Sequence, residues 1–191
     1  MEIILHRRNT LEDLKSTPEE FGVEIDIRSF GKRLILNHEP FGDALDLEEW
    51  LRYYKHKTLI LNIKEEGIEQ AVRRVIQGHG IKDYFFLDLS FPALVKMVNA
   101  SEKNVALRFS EYESIETVLK FSGKAAWVWV DCFTRLPLTK ENHQVLARNF
   151  KLCLVSPELQ GRDHSEIKQF KDLLAGLKID AVCTKQPDLW K

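Results

Sequence analysis

The sequence predicts an α/β fold, namely a small (β/α)8 barrel of the TIM type with a β-hairpin after the second strand. Short β-type runs alternate along the chain with amphipathic stretches of helical period, which is typical of parallel α/β folds. Eight such runs occur, and eight strands close a barrel of this type. The 191 residues suit a single domain spanning 1–191, although about 250 residues is more usual for the fold.

The strand runs are short and rich in β-branched, leucine and aromatic residues. The first five are Glu2–Leu5, Val23–Ile27, Leu59–Ile63, Tyr84–Leu89 and Val105–Phe109. The last three are Trp127–Cys132, Leu152–Val155 and Ala181–Thr184. A ninth run, Arg33–Asn37, closely follows a Gly-Lys pair and predicts a hairpin with the second strand.

Amphipathic stretches between the runs predict helices. One is Leu45–Tyr54, with Asp46 as its N-cap. The apolar stripe of Ile68–Ile76 has a helical period, and glycines follow it. The remaining predicted helices are Ile115–Phe121, Lys140–Phe150 and Ser165–Leu177. A doubly wound open sheet is the alternative fold, but no glycine-rich phosphate loop follows the first strand.

Composition narrows the functional classes. The 28 basic and 29 acidic residues give a net charge of −1, which argues against a dedicated nucleic-acid-binding protein. No apolar stretch approaches the roughly 20 residues of a membrane span, so we expect no integral membrane segment. Cys132, Cys153 and Cys183 lie far apart in apolar runs. They predict reduced core thiols and hence a cytoplasmic protein.

The second strand run carries charges where a parallel strand is normally apolar. Glu24, Asp26 and Arg28 alternate with valine and isoleucine, so the charges share one face. Carboxylates about 7 Å apart along a strand repel each other unless a positive group lies between them, and a divalent cation is a natural candidate. A solvated edge strand is the alternative explanation. Other polar residues at the ends of early strand runs, where such barrels hold their chemistry, are His6, His38, Asn62 and Lys64.

Four short motifs, taken in order, resemble the glycerophosphodiester phosphodiesterase family. They are His6-Arg7, Glu24-Ile25-Asp26, His38-Glu39 and Asn62-Ile63-Lys64. Weaker similarities are Asn9-Thr10, Ser90-Phe91 and the closing Pro187-Asp188 turn. The resemblance therefore spans nearly the whole chain.

The resemblance implies a metal-dependent phosphodiesterase of lipid metabolism that hydrolyses a glycerophosphodiester or a related small head-group diester. The implied cofactor is one divalent cation, Mg²⁺ or Ca²⁺. The implied metal ligands are Glu24, Asp26 and Asn62, the implied general acid and base are His6 and His38, and the implied phosphate ligands are Arg7 and Lys64. The chemistry agrees, because histidines exchange protons near neutral pH and cations stabilise charge on phosphate oxygens.

Three positions depart from the family's pattern. Arg8 stands in place of a glycine, and Glu39 in place of an aspartate. Asn62 stands where the family has a third acidic ligand, which predicts weaker metal binding or a substitute acid. The candidate substitutes are Glu65, Asp88 and Glu111.

Two alternatives to this function stay open. The first is an enzyme of the same fold that stops at the cyclic phosphate and releases it, as phospholipase-like relatives do. A degenerate, non-catalytic barrel would instead bind a phosphorylated ligand or a partner protein. The missing third acid favours the degenerate barrel, whereas the two retained histidines argue against it because a binding protein needs neither.

Outside these motifs, one charged residue lies within a strand run. Arg108 is in the fifth run, where a buried guanidinium requires a carboxylate partner. The candidate partners are Glu111 or Asp88.

Overall fold

Strands and helices alternate through the chain as the sequence predicts. The computed structural model describes residues 1–191. The strands are β1 (Glu2–Leu5), β2 (Gly22–Phe30), β3 (Arg33–Leu36), β4 (Leu59–Ile63), β5 (Tyr84–Leu87), β6 (Ala106–Phe109), β7 (Trp127–Val130), β8 (Lys151–Val155) and β9 (Ala181–Thr184). The α-helices are α1 (Leu11–Ser16), α2 (Leu47–Leu51), α3 (Glu69–Gly78), α4 (Phe91–Asn99), α5 (Ile115–Leu119), α6 (Lys140–Asn149), α7 (Glu166–Leu173) and α8 (Pro187–Trp190). A 3-10 helix, Pro157–Gln160, follows β8.

The strands form one sheet with the architecture of a small TIM-type (β/α)8 barrel. Their order is β5-β4-β2-β1-β9-β8-β7-β6. The pairs β2–β4, β4–β5, β6–β7, β7–β8 and β8–β9 are parallel. Strand β3 leaves this path and pairs antiparallel with β2. The predicted fold class and the hairpin after the second barrel strand are both confirmed.

Two compact units make up the chain, one spanning Leu5–Ser101 and one comprising Met1–Ile4 with Glu102–Lys191. In the Leu5–Ser101 unit, β2 and β4 carry apolar side chains that are fully buried, including those of Ile25 and Leu61. Each such side chain stabilises the fold by about 1.5–3 kcal/mol. That rigid pair of strands positions the polar residues described below. The prediction of a single domain over 1–191 stays a prediction.

Helices α1, α4 and α8 have no counterpart among the predicted helices. Helix α1 begins at Thr10, whose hydroxyl accepts a hydrogen bond from the Asp13 N–H at 3.0 Å. Helix α4 begins at Ser90, whose hydroxyl accepts from the Ala93 N–H at 3.3 Å. These caps define the helix starts. Helix α1 has only two apolar residues, and nearly all residues of α4 are apolar, so neither shows an apolar stripe on one face. The predicted cap Asp46 is confirmed at the start of α2.

The cysteines match the expectation of reduced thiols in the core. Cys132, Cys153 and Cys183 are free and buried. Burial raises the pKa of the Cys132 thiol to about 12, so the thiol stays protonated at neutral pH. No helix combines the length and the apolar character that a membrane crossing requires.

A polar cluster lies at the carboxyl ends of β6 and β7. Arg108 forms an ion pair with the fully buried Asp131, and its Nε lies 3.9 Å from a Glu113 carboxylate oxygen. Glu111, one of the expected partners, instead accepts a hydrogen bond from the Thr134 hydroxyl at 2.7 Å. The expectation of Glu111 was wrong. Arg108 pairs in register with residue 129, so Asp131 lies two residues further along the neighbouring strand, on the same face.

Candidate active site

The predicted site residues lie on β2 and β4 and in the segments that follow β1, β3 and β4, all within the Leu5–Ser101 unit. His6 and Arg7 follow β1, His38 follows β3, and Lys64 follows β4. The parallel pairing of β2 with β4 places Asp26 beside Asn62. Glu24 and Asp26 are fully buried and Asn62 nearly so.

Both carboxylate oxygens of Glu24 accept hydrogen bonds. Oε1 accepts from Asn62 Nδ2 at 2.8 Å, and Oε2 accepts from the backbone N–H of Arg7 at 2.6 Å. His6 Nε2 lies 3.7 Å from the same Oε2. Arg7 has a φ of 57°, a left-handed conformation that is unfavourable for a side chain of this size. The charge-assisted hydrogen bond to Glu24 offsets that strain.

The protonation of Glu24 is sensitive to pH near neutrality. Burial, followed by the charge of Asp26, raises the pKa of Glu24 from 4.5 to about 7. Hydrogen bonds from Asn62 and Arg7 and the charge of Lys64 act in the opposite direction. A cation bound beside Glu24 would favour its ionised form, because metal ligands bind deprotonated.

We expect the free energy of unfolding to fall as the pH rises from 4.5 to about 7. Across that window the folded state keeps the Glu24 proton and the unfolded state loses it, so stability decreases with pH. The shift from 4.5 to about 7 corresponds to roughly 3 kcal/mol. Urea unfolding at a series of pH values, without divalent cations, measures the effect.

Two variants isolate the contribution of Glu24. Glu24→Gln removes the titrating group and should flatten the decline, whereas Glu20→Gln changes an exposed carboxylate and should leave it intact. If the free energy of unfolding falls equally steeply with pH in wild type and in Glu24→Gln, the decline does not come from Glu24.

Asp26 lies between two cationic side chains. Arg7 Nε is 3.3 Å from Oδ2, and Lys64 Nζ is 3.4 Å from Oδ1. Asn9 exchanges two hydrogen bonds with Asp26, each of 2.9 Å, one through its side-chain nitrogen and one through its side-chain oxygen. Lys64 Nζ also lies 3.3 Å from an Asp88 carboxylate oxygen. The Arg7 side chain is 40% exposed, so its guanidinium can still donate to an anion from solvent.

Two buried oxygens in this cluster accept no hydrogen bond. They are Asn62 Oδ1 and Asp26 Oδ1, and the second of these lies 3.4 Å from the Lys64 ammonium. Buried polar atoms are normally hydrogen-bonded, so a pair of such oxygens on neighbouring strands suits an external ligand. No group of three or more His, Cys, Asp or Glu side chains is placed so as to hold a metal ion.

Each of the three acids expected as substitutes for the missing ligand has a hydrogen-bond partner. Glu65 accepts a hydrogen bond from the Ser29 hydroxyl. Asp88 accepts one from Lys64, and Glu111 accepts one from Thr134. The buried side chains with oxygen donors on β2 and β4 are Glu24, Asp26 and Asn62.

His38 is positioned by the hairpin. Its Nδ1 lies 2.6 Å from Glu39 Oε1, and its carbonyl accepts from Arg28 Nε at 3.0 Å. The backbone N–H of Asn37 donates to the Asp26 carbonyl at 3.0 Å, which joins this end of the hairpin to β2. The hydrogen bond with His38 lowers the pKa of Glu39. Orienting the ring through Nδ1 leaves Nε2 for proton transfer.

Side-chain and backbone contacts join most of the predicted residues in one cluster. Its members are His6, Arg7, Glu24, Asp26, Asn62 and Lys64. His38 is connected to this cluster through the backbone of the hairpin.

Two supporting residues carry no functional signal of their own in the sequence. Asn9 orients Asp26, although the sequence marks it only through the resemblance. Trp50 lies on the apolar side of α2, and its Nε1 donates to the Arg8 carbonyl at 2.9 Å. Arg8 does not have a left-handed φ, so the loop after β1 does not require a glycine there. Its guanidinium lies 3.5 Å from Asp13.

Comparison with known proteins shows a likeness of fold. No protein-family model matches the chain, and a search of curated proteins finds no match. A solved structure assigned as a glycerophosphoryl diester phosphodiesterase of Agrobacterium tumefaciens strain C58 is 16% identical, with a TM-score of 0.73 over 98% of this chain and 94% of that one.

Two further solved structures agree. A glycerophosphoryl diester phosphodiesterase of Parabacteroides distasonis is 14% identical, with a TM-score of 0.68 over 98% of this chain and 84% of its own. A glycerophosphodiester phosphodiesterase of A. tumefaciens strain C58 is 13% identical, with a TM-score of 0.69 over 99% and 97%. The chain thus shares its fold with proteins named as glycerophosphodiester phosphodiesterases, the family that its motifs resemble.

Proposed function

We propose that the protein is a phosphodiesterase that hydrolyses a glycerophosphodiester or a related small head-group diester. The observation that carries this proposal is the cluster formed by side chains of β2 and β4 and of the segments that follow β1 and β4. There a histidine, two cations and two buried carboxylates meet within hydrogen-bond or ion-pair distance. The fold shared with three proteins named as such phosphodiesterases supports it. The free, buried cysteines support a cytoplasmic location.

Arg7 and Lys64 would bind the phosphate. A phosphodiester carries one negative charge, and more charge develops on its oxygens in the transition state. Arg7 and Lys64 both contact Asp26, which holds them at one place in the cluster. Preorganised positive groups of this kind stabilise developing charge without rearrangement.

His6 and His38 would move the protons. The attacking hydroxyl must lose a proton and the leaving alkoxide must gain one, and histidine does both near neutral pH. The contact of His38 with Glu39 holds its ring in one orientation. In the family that the motifs resemble, a hydroxyl of the substrate's own glycerol attacks phosphorus and expels the head-group alcohol. Water then opens the resulting cyclic phosphate.

A divalent cation, Mg²⁺ or Ca²⁺, fits the donors that this chain offers. All three candidate ligands present oxygen, which hard cations prefer. Asp26 Oδ1 on β2 and Asn62 Oδ1 on β4 accept no hydrogen bond, and Glu24 lies two residues before Asp26 on β2. Glu24, Asp26 and Asn62 would hold the cation, which when bound supplies further positive charge against the phosphate. With two carboxylates in place of three, the expected affinity is low.

The test of the proposed function is hydrolysis of glycerophosphocholine and of bis(p-nitrophenyl) phosphate. Each reaction is run with EDTA and with Mg²⁺, Ca²⁺ or Mn²⁺, and phosphorus NMR identifies the product. We expect metal-dependent release of glycerol phosphate from glycerophosphocholine. Bis(p-nitrophenyl) phosphate has no hydroxyl beside its phosphate, so release of p-nitrophenol from it reports direct attack by water. Persistent cyclic phosphate would favour the phospholipase-like reaction, and hydrolysis of no diester with any metal would contradict the proposal.

A second candidate function is a non-catalytic barrel that binds a phosphorylated ligand. Asn62 favours it, as does the pairing of Asp26 with Arg7 and Lys64, because these ion pairs balance the buried charge of the cluster without a metal. Calorimetric titration separates the two functions. Binding of Mg²⁺ or Ca²⁺ favours the enzyme, whereas binding of inorganic phosphate without any metal binding favours the second candidate.

A further inference from the structure

A cleft opens beside the candidate active site, between the end of β2, the β2–β3 turn and the loop that follows β3. We call it the hairpin cleft. Its walls include Arg28, Phe30, Pro40, Phe41 and Glu65, and its volume is about 510 Å³. That volume lies within the range of roughly 300–1,000 Å³ found for small-molecule sites. A three-carbon glycerol or a choline group would leave most of it empty.

The walls expose aromatic surface to solvent. Phe41 is 100% exposed and Phe30 42% exposed. Phe41 also has a φ of 66°, a left-handed conformation that is unfavourable for an aromatic residue. A fully exposed phenylalanine in a strained conformation has no role in the core. Exposed apolar surface bordered by polar groups marks ligand or partner sites.

The cleft adjoins the residues proposed to act on phosphate. Arg28, which lines it, donates from Nε to the His38 carbonyl at 3.0 Å. Arg28 lies on β2 two residues beyond Asp26, and the Asn37 N–H donates to the Asp26 carbonyl at 3.0 Å. A diester whose phosphate meets Arg7 and Lys64 therefore has an apolar, partly cationic cleft next to it.

We propose that the hairpin cleft binds an apolar chain carried by the substrate, so that the preferred substrates are amphiphilic diesters such as a 1-acyl-glycerophosphodiester. This inference rests on the proposed function and narrows its substrate class. The aromatic walls match a hydrocarbon chain, and Arg28, which lines the cleft, donates a hydrogen bond to the backbone of His38. A 1-acyl substrate keeps the neighbouring hydroxyl that attacks phosphorus, so the chemistry is unchanged.

The test compares kcat/KM for glycerophosphocholine with that for a short-chain 1-acyl-glycerophosphocholine kept below its micelle concentration. We expect the wild type to prefer the acylated substrate by about tenfold or more, since burying apolar surface is favourable. Phe41→Ser should reduce this ratio by about tenfold. Leu173→Ser, at a 57% exposed leucine on α7, should leave the ratio unchanged. A wild-type ratio near one, or a ratio unaltered in Phe41→Ser, would overturn the inference.

A binding measurement keeps this test separate from that of the proposed function. Dodecylphosphocholine is a diester with an apolar chain and no hydroxyl to attack its phosphate, so it serves as a non-reacting probe. Calorimetry below its micelle concentration should show binding at least tenfold tighter to wild type than to Phe41→Ser. Equal affinities overturn the hairpin cleft as a chain site, even if glycerophosphocholine is hydrolysed. If wild type binds dodecylphosphocholine more tightly than Phe41→Ser but no diester is hydrolysed, only the proposed function is overturned.

Discussion

Replacing His6 with alanine is expected to lower kcat/KM for glycerophosphocholine by about 10²–10⁴-fold, the usual contribution of a positioned general acid or base. His38→Ala should have an effect of the same order. His6 lies 3.7 Å from the buried Glu24 carboxylate, and His38 is oriented by Glu39 at 2.6 Å. Steady-state kinetics on each variant, with the preferred metal present, measures the loss.

The control for these variants is His79→Ala, which changes an exposed histidine at the end of α3. It should retain wild-type activity. The His38 side chain is 37% exposed, so His38→Ala should change the free energy of unfolding by no more than about 0.5 kcal/mol. Urea unfolding therefore separates lost chemistry from lost folding. Full activity in either histidine variant would remove that histidine from the mechanism.

Asp26→Asn is the second substitution with a large expected effect. It removes the charge that faces Arg7 and Lys64 and one carboxylate of the proposed metal ligands. We expect kcat/KM to fall about 100-fold or more, because preorganised charges contribute on that scale. The free energy of unfolding should fall by up to about 3 kcal/mol, the lower end of the range for breaking a buried ion pair. The loss is at the lower end because the Arg7 side chain is partly exposed.

Divalent cations provide a readout of Asp26→Asn that does not depend on activity. A ligand that binds only the folded state raises the unfolding midpoint, so Mg²⁺ or Ca²⁺ should stabilise the wild type and not the variant. Asp188→Asn is the control, because the Asp188 side chain is 84% exposed and pairs only at the surface with Lys191. Equal cation-dependent stabilisation of wild type and Asp26→Asn would exclude Asp26 as a ligand.

The strands could be predicted from the sequence wherever an apolar run has polar boundaries. Strand β4 occupies Leu59–Ile63, as predicted to the residue. Strand β2 is longer than predicted, because antiparallel pairing with β3 extends it to Phe30. Helix α1 has only six residues, which is too short for an apolar period to show.

The charged residues of the candidate site could be predicted from the sequence, whereas the residues that orient them through hydrogen bonds could not. Alternation along β2 identifies Glu24 and Asp26, because charges on a buried strand are unusual. The hydrogen bond from Trp50 to the Arg8 carbonyl joins residues 42 positions apart, and Asn9 reaches Asp26 across 17 positions. Such contacts depend on how the chain folds back on itself. The exposed Phe41 likewise gave no signal, since a lone phenylalanine in a loop is indistinguishable in sequence from a core residue.

The pairing of Asp26 with Asn62 also has a consequence for how the chain folds. A slip of one residue between β2 and β4 would place Asp26 beside Leu61 or Ile63. It would also turn one strand's alternating side chains to the opposite face. The buried carboxylates would then lose the Asn62 amide and the Lys64 ammonium, and an unpaired buried charge is strongly destabilising. Residues assigned here to chemistry thus also select the correct strand alignment, so that misaligned intermediates are penalised before any substrate is bound.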